Sequence, residues 1–191
     1  MPEPDVVESA HSPQPMANNY PLQQTIQNVA LLNFGGIGDE ILFSPVIAEL
    51  RHYLPDAHFV LFLEDRSAGV APLLKGIDEF YEINVQKQPR PLLFFNLVNR
   101  LRSRHFDLAI SCGSSPFIAP MLGLAGTPKR YGFKSNLPDA LLNMCLSAPA
   151  PLDLTGYAAN MYYALATTCL NDLLGTTYTP QYADGRVYPY L

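Results

Sequence analysis

Tryptophan is absent from the chain, and cysteine is scarce, with three in 191 residues. Cys112, Cys145 and Cys169 stand far apart with no Cys-x-x-Cys pair. That excludes a disulfide framework and a zinc ribbon, and it reads as reduced core thiols of a cytosolic protein. His11, His52, His58 and His105 show no metal-ligand spacing. Positive charge is in deficit, 12 Lys and Arg against 17 Asp and Glu, for a formal net charge of −5. With no overall basic field to neutralise phosphates, nucleic acid is excluded as a general partner. No apolar run is long enough to span a bilayer, and the first residues lack a charged-then-apolar pattern, so neither a membrane span nor a leader is expected. What is present is 48% hydrophobic and 15% charged residues, the balance of a folded chain of one-domain size.

The chain is organised around residues 28–45. A short apolar run, Val29 to Leu32, is followed by Gly35, Gly36 and Gly38, then Asp39, then a segment of helical periodicity. Strand, glycine turn and helix form the unit that opens an open-sheet α/β domain, and ligands gather at that turn. Glycine there permits positive φ and close approach of a ligand to the backbone. The phosphate fingerprints are missing. Ile41 stands where a dinucleotide pattern has its third glycine, and no Gly-Lys-Ser/Thr follows.

Residues 1–27, proline-rich, polar and without periodicity, read as a mobile tail. Helices are expected over 39–53, 67–74, 91–103, 116–124 and 155–174, with a short helical piece over 138–144. Strands are expected over 29–32, 59–63, 80–83, 107–111 and 129–133. Leu42, Val46, Leu50 and Tyr53 line one face of the first helix, widened by Phe43 and Ile47, and Pro45 disturbs its ladder. Leu93, Phe94, Leu97, Val98 and Leu101 form the core face of the third. Gly175 closes the last helix. This alternation predicts a parallel Rossmann-like sheet with helices on both faces over 28–175, and residues 176–191 read as the start of a linker.

The ordered segments resemble glycosyltransferase family 9, the ADP-heptose:lipopolysaccharide heptosyltransferases and their relatives. The likeness runs through residues 28–45, Leu50-Arg51, Pro55-Asp56-Ala57, Gly76-Ile77-Asp78-Glu79, Leu101-Arg102 with residues 106–110, and Arg130-Tyr131-Gly132-Phe133. Two positions depart from it: Leu42 and Tyr157 stand where the family often has histidine. The resemblance implies the N-terminal, acceptor-side half of a two-domain GT-B enzyme whose C-terminal donor domain is absent from this sequence. It implies a glycan or glycolipid acceptor and a nucleotide-sugar donor held by the other half. No cofactor and no metal are implied, and the fragment is expected to be inactive alone. A non-catalytic glycan- or protein-binding module and a nucleotide-binding Rossmann domain are the rival readings.

Asp39 is the candidate catalytic residue. Inverting sugar transfer needs a base beside the acceptor hydroxyl, and the resemblance gives the matching aspartate that role. A plain helix N-cap is the competing reading, since aspartate suits the positive helix end. Gly35, Gly36 and Gly38, with Ser114 and Ser115 after the fourth strand, are candidate acceptor-binding residues at the same sheet edge. Arg90 and Arg100 belong to a basic segment with Lys87, Arg102 and Arg104. That segment suits an anionic acceptor, or contact peripheral to an anionic inner membrane, as well as it suits a solvated helix face. Arg130 reads as a support of the fold.

Overall fold

The computed structural model describes residues 26–87, 89–113, 115, 117–134, 139–175 and 177–178. Six strands, β1 (Asn28–Asn33), β2 (His58–Glu64), β3 (Glu79–Ile83), β4 (Leu108–Ser111), β5 (Lys129–Phe133) and β6 (Ala148–Ala150), form one sheet in the order β3-β2-β1-β4-β5-β6. Every neighbouring pair is parallel. Parallel neighbours require crossovers. These are α1 (Ile37–Tyr53), α2 (Arg90–Arg104), α3 (Ile118–Ala125) and two 3-10 segments, Asp65–Leu73 and Asp139–Cys145, whereas α4 (Ala158–Leu174) follows β6 and packs back on α1. The Rossmann-like α/β fold expected from the alternation is the one observed.

Side chains of β1 alternate between two cores. Val29 and Leu31 enter the one built with α1 and α4, whereas Ala30 and Leu32 enter the one built with α2 and α3. Both faces are covered, which is why the central strands read as continuous apolar runs. The second helix expected, over 67–74, is instead a 3-10 segment, with Gly69 and Pro72 inside it working against α-helical continuation. The three-residue strand β6 was not foreseen. It lies at the sheet edge, pairing through Gly132↔Pro149, and an edge is where a strand tolerates proline.

The first helix differs from its sequence reading in its buried face. Glu40, Phe43, Ser44, Pro45, Val46, Ile47, Glu49 and Leu50 are buried, because α1 is pressed by α4 and the first 3-10 segment as well as by the sheet. Pro45 leaves the Ile41 carbonyl without its usual donor, and the Ser44 hydroxyl donates to that carbonyl at 2.6 Å. The helix therefore runs unbroken through the proline.

Several segments that carry the family resemblance meet at one support. Arg51 donates to the carbonyls of Pro55, Ala57 and Gly76 and pairs with Asp78 at 2.6 Å, its guanidinium lying over the Phe59 ring. Arg130 likewise holds the fold, donating to the carbonyls of Cys145 and Thr127. Ile26, inside the stretch read as a tail, is buried, and so is Tyr178, beyond the Gly175 cap in the stretch read as a linker.

Candidate functional site

The strand order reverses direction between β1 and β4, so the loops after these two strands flank one crevice at the carboxyl edge of the sheet. The β1 loop carries Gly35, Gly36 and the start of α1. Gly36 is the N-cap of α1, and Asp39 is its third residue. Asp39 is thus not the cap itself. Its Oδ2 reaches back to accept the Gly36 N–H at 2.8 Å, and its Oδ1 accepts the Tyr162 hydroxyl from α4 at 2.8 Å. Gly35 donates its N–H to Asn33 Oδ1 at 3.1 Å.

Only one of the three glycines is sterically required. A Cβ on Gly35 would stand 2.4 Å from the Asp39 Cβ, whereas one on Gly38 would meet nothing within 4 Å. None of the three takes a positive φ; among the described residues that conformation falls to Gly76, Gly126, Gly175 and His105. The glycine turn exists for the close seating of Asp39, not for a left-handed backbone.

Tyr162 is 7% exposed, and its ring meets Phe43 edge-on at 6.1 Å. Burial, and after it the hydrogen bond to Asp39, hold the phenol well above the ordinary tyrosine range, so it stays a donor at any working pH. Each carboxylate oxygen of Asp39 therefore accepts one fixed donor and keeps a lone pair. A carboxylate fixed in this way, half-buried on a rigid helix start, can receive a proton from a hydroxyl brought to the crevice.

β4 ends on buried Ser111 and the loop after it opens on buried Cys112, and Ser111 Oγ accepts the Gly113 N–H at 3.3 Å. Ser115 is exposed, and its carbonyl accepts the Ile118 N–H at the start of α3. Ser114 lies outside the described residues. Arg90 opens α2 and is exposed; helix starts of a parallel sheet share the carboxyl edge, so topology places it on the side of Asp39. Arg100 lies elsewhere. It stacks over the Tyr81 ring at 4.3 Å and donates to its hydroxyl at 2.7 Å on the outer flank of β3. A cavity of about 460 Å³ opens on that flank, lined by Tyr81, Asn84, Asn96, Asn99 and Arg100 among others, and no residue of the β1 or β4 loop borders it. Of the rest of the basic segment, Arg104 forms a bidentate pair with Glu79 and Arg102 donates to the Leu124 carbonyl, whereas the Lys87 side chain is exposed between β3 and α2. Sequence reasoning missed Asn33, Glu40 and Tyr162, because each acquires its meaning from a partner that periodicity does not reveal.

Among the described residues no helix is long and apolar enough to cross a membrane, and no cluster of three His, Cys, Asp or Glu could hold a metal. No family model matches the chain, and no curated protein does. Solved structures do. E. coli heptosyltransferase WaaC with ADP aligns at a TM-score of 0.61 with 14% identity, over 82% of this chain and 49% of its own. E. coli ADP-heptose lipopolysaccharide heptosyltransferase II gives 0.63 and 18%, over 86% and 46%. A family 9 glycosyl transferase from Veillonella parvula gives 0.61 and 20%, over 79% and 42%. The chain thus spans about half the length of these proteins and shares with them the fold of that half.

Proposed function

We propose that this chain is the acceptor-side half of a glycosyltransferase. The reaction would move a sugar, heptose by resemblance, from a nucleotide sugar to a lipopolysaccharide or another cell-envelope glycan. The observation that carries this reading is the seating of Asp39 at the switch point by Gly36 and Tyr162. In the transfer, Asp39 takes the proton of the acceptor hydroxyl as its oxygen attacks the anomeric carbon. The bond from that carbon to the nucleotide diphosphate breaks with inversion, and the diphosphate leaves with the electron pair. The donor is held by a second domain. Arg90 is the cation offered to an anionic acceptor or membrane surface, and the working location is cytoplasmic, peripheral to the inner membrane.

The nucleotide-binding Rossmann reading is weakened by the same turn. The Gly35 and Gly36 N–H groups, which a phosphate would need, already donate to Asn33 and Asp39, and the Asp39 charge repels a phosphate. Calorimetry tests this. Lipopolysaccharide-core oligosaccharide is expected to bind the isolated chain, and ADP is not; micromolar ADP binding would put the nucleotide-binding reading first. Joined to a family 9 donor domain, the chain should catalyse transfer, and Asp39→Asn should abolish it while leaving the fold intact. Comparable turnover by both would leave a non-catalytic glycan- or protein-binding module as the better reading.

A further inference from the structure

Behind the Asp39 turn lies a closed polar cluster that the transfer chemistry leaves unused. Glu40 follows Asp39 on α1 and has no exposed surface. Ser67 Oγ, from the first 3-10 segment, lies 3.4 Å from Glu40 Oε1 and donates to the Glu64 carbonyl at 2.9 Å. Two atoms are left over. Glu40 Oε2 and Asn33 Nδ2 are both buried and neither has a hydrogen bond of good geometry among the described residues, although the Asn33 amide lies near enough to Glu40 to favour its charged form. The groups that face Glu40 are Asn33 from β1, Asp39 on its own helix, Ser67, Cys112 after β4 and the Tyr162 phenol from α4. None is a cation, and no ion pair among the described residues includes Glu40.

A buried carboxylate with no cation beside it is held in its neutral form. Burial is the largest influence, pushing the acid up to about 8; Ser67 and Asn33 pull it down, and the neighbouring Asp39 charge adds to the rise. Asn33 is the link forward. Its Oδ1 holds the Gly35 N–H, and Gly35 is the residue against which Asp39 is pressed.

We propose that Glu40 is a positioning residue: as a neutral acid it backs the Asn33 side chain, which fixes Gly35 and so the turn that seats Asp39. Calling the role catalytic positioning rests on the transfer reading of Asp39; the mechanical coupling does not. Ionised, Glu40 would place a second negative charge beside Asp39 in a space with no cation to receive it, and the turn would loosen.

Nuclear magnetic resonance of the isolated chain between pH 6 and 9.5 tests the coupling. The Gly35 and Gly36 amides are expected to shift along one titration with the Glu40 carboxyl carbon, and to stay flat in Glu40→Gln, which keeps the shape and cannot ionise. Amides that ignore the Glu40 titration in the wild type overturn the proposal, and that measurement stands even if the variant fails to fold. Amides that move equally in Glu40→Gln also overturn it. In the transfer assay, turnover should fall on the alkaline side for wild type and not for Glu40→Gln. Coupled amides without any transfer would reject the transferase reading and keep the positioning role.

Discussion

The Tyr162 hydroxyl donates to Asp39 Oδ1 at 2.8 Å across 123 positions of sequence, joining the last helix to the first turn of the first. Tyr162→Phe keeps the ring contacts with Phe43 and Phe133 and removes only this donor. A hydrogen bond to a charged group contributes roughly 1.5–3 kcal/mol, so the variant should lose about that much stability. The decisive measurement is a double-mutant cycle with Asp39→Asn. A coupling of about 1 kcal/mol or more is expected by denaturant unfolding, and strict additivity would mean the bond does not hold the carboxylate.

The glycines give a second contrast. A methyl at Gly35 collides with the Asp39 side chain at 2.4 Å, and neither the helix start nor β1 can yield without moving Asp39 or Asn33. Gly35→Ala should cost about 1–3 kcal/mol, in the range of overpacked sites. Gly38→Ala adds its methyl to open space inside α1, where alanine is favoured over glycine by up to about 1 kcal/mol. Unfolding midpoints should therefore move in opposite directions. Equal losses would show that the whole turn, rather than the approach at Gly35, demands glycine.

What could be read beforehand follows from the range of each interaction. The apolar run of β1, the glycine turn and the helix after it are contiguous, so the opening unit and the place of Asp39 are visible in residues 28–45. The core face of α2 is also local: Leu97, Val98 and Leu101 are buried while Asn96, Asn99, Arg100 and Ser103 are exposed, as the period requires. The basic segment is the opposite case. Clustering along the chain does not mean clustering in space: Arg100, Arg102 and Arg104 turn to Tyr81, Leu124 and Glu79, while Lys87 and Arg90 are exposed beyond the carboxyl end of β3. Buried carboxylates are equally hidden. Glu40 and Glu49 sit on a helix whose polar positions normally face water, and only α4, the 3-10 segment and Tyr178 closing over α1 put them inside. Glu49 accepts from Tyr163 at 2.7 Å and from Tyr178, partners more than a hundred positions away.

Folding lifts the Glu40 carboxyl from an ordinary value near 4.5 to about 8. Between those limits the unfolded chain releases this proton while the folded chain keeps it, so the unfolded state gains from rising pH. The stabilising share of the neutral acid is fully present below about pH 4.5 and is lost as pH climbs through about 8, at roughly 1.4 kcal/mol for each pH unit in between. Glu40→Gln has no such proton to lose. Its stability relative to wild type should therefore rise steadily from pH 5 to pH 8 and level off beyond. Contributions of other titrating groups, among them Glu49, whose carboxyl burial also raises, cancel in the difference. Urea unfolding of both proteins at each pH unit is the measurement. A difference that stays constant with pH would mean that Glu40 ionises as readily in the fold as outside it, and the neutral acid behind the Asp39 turn would have to be abandoned.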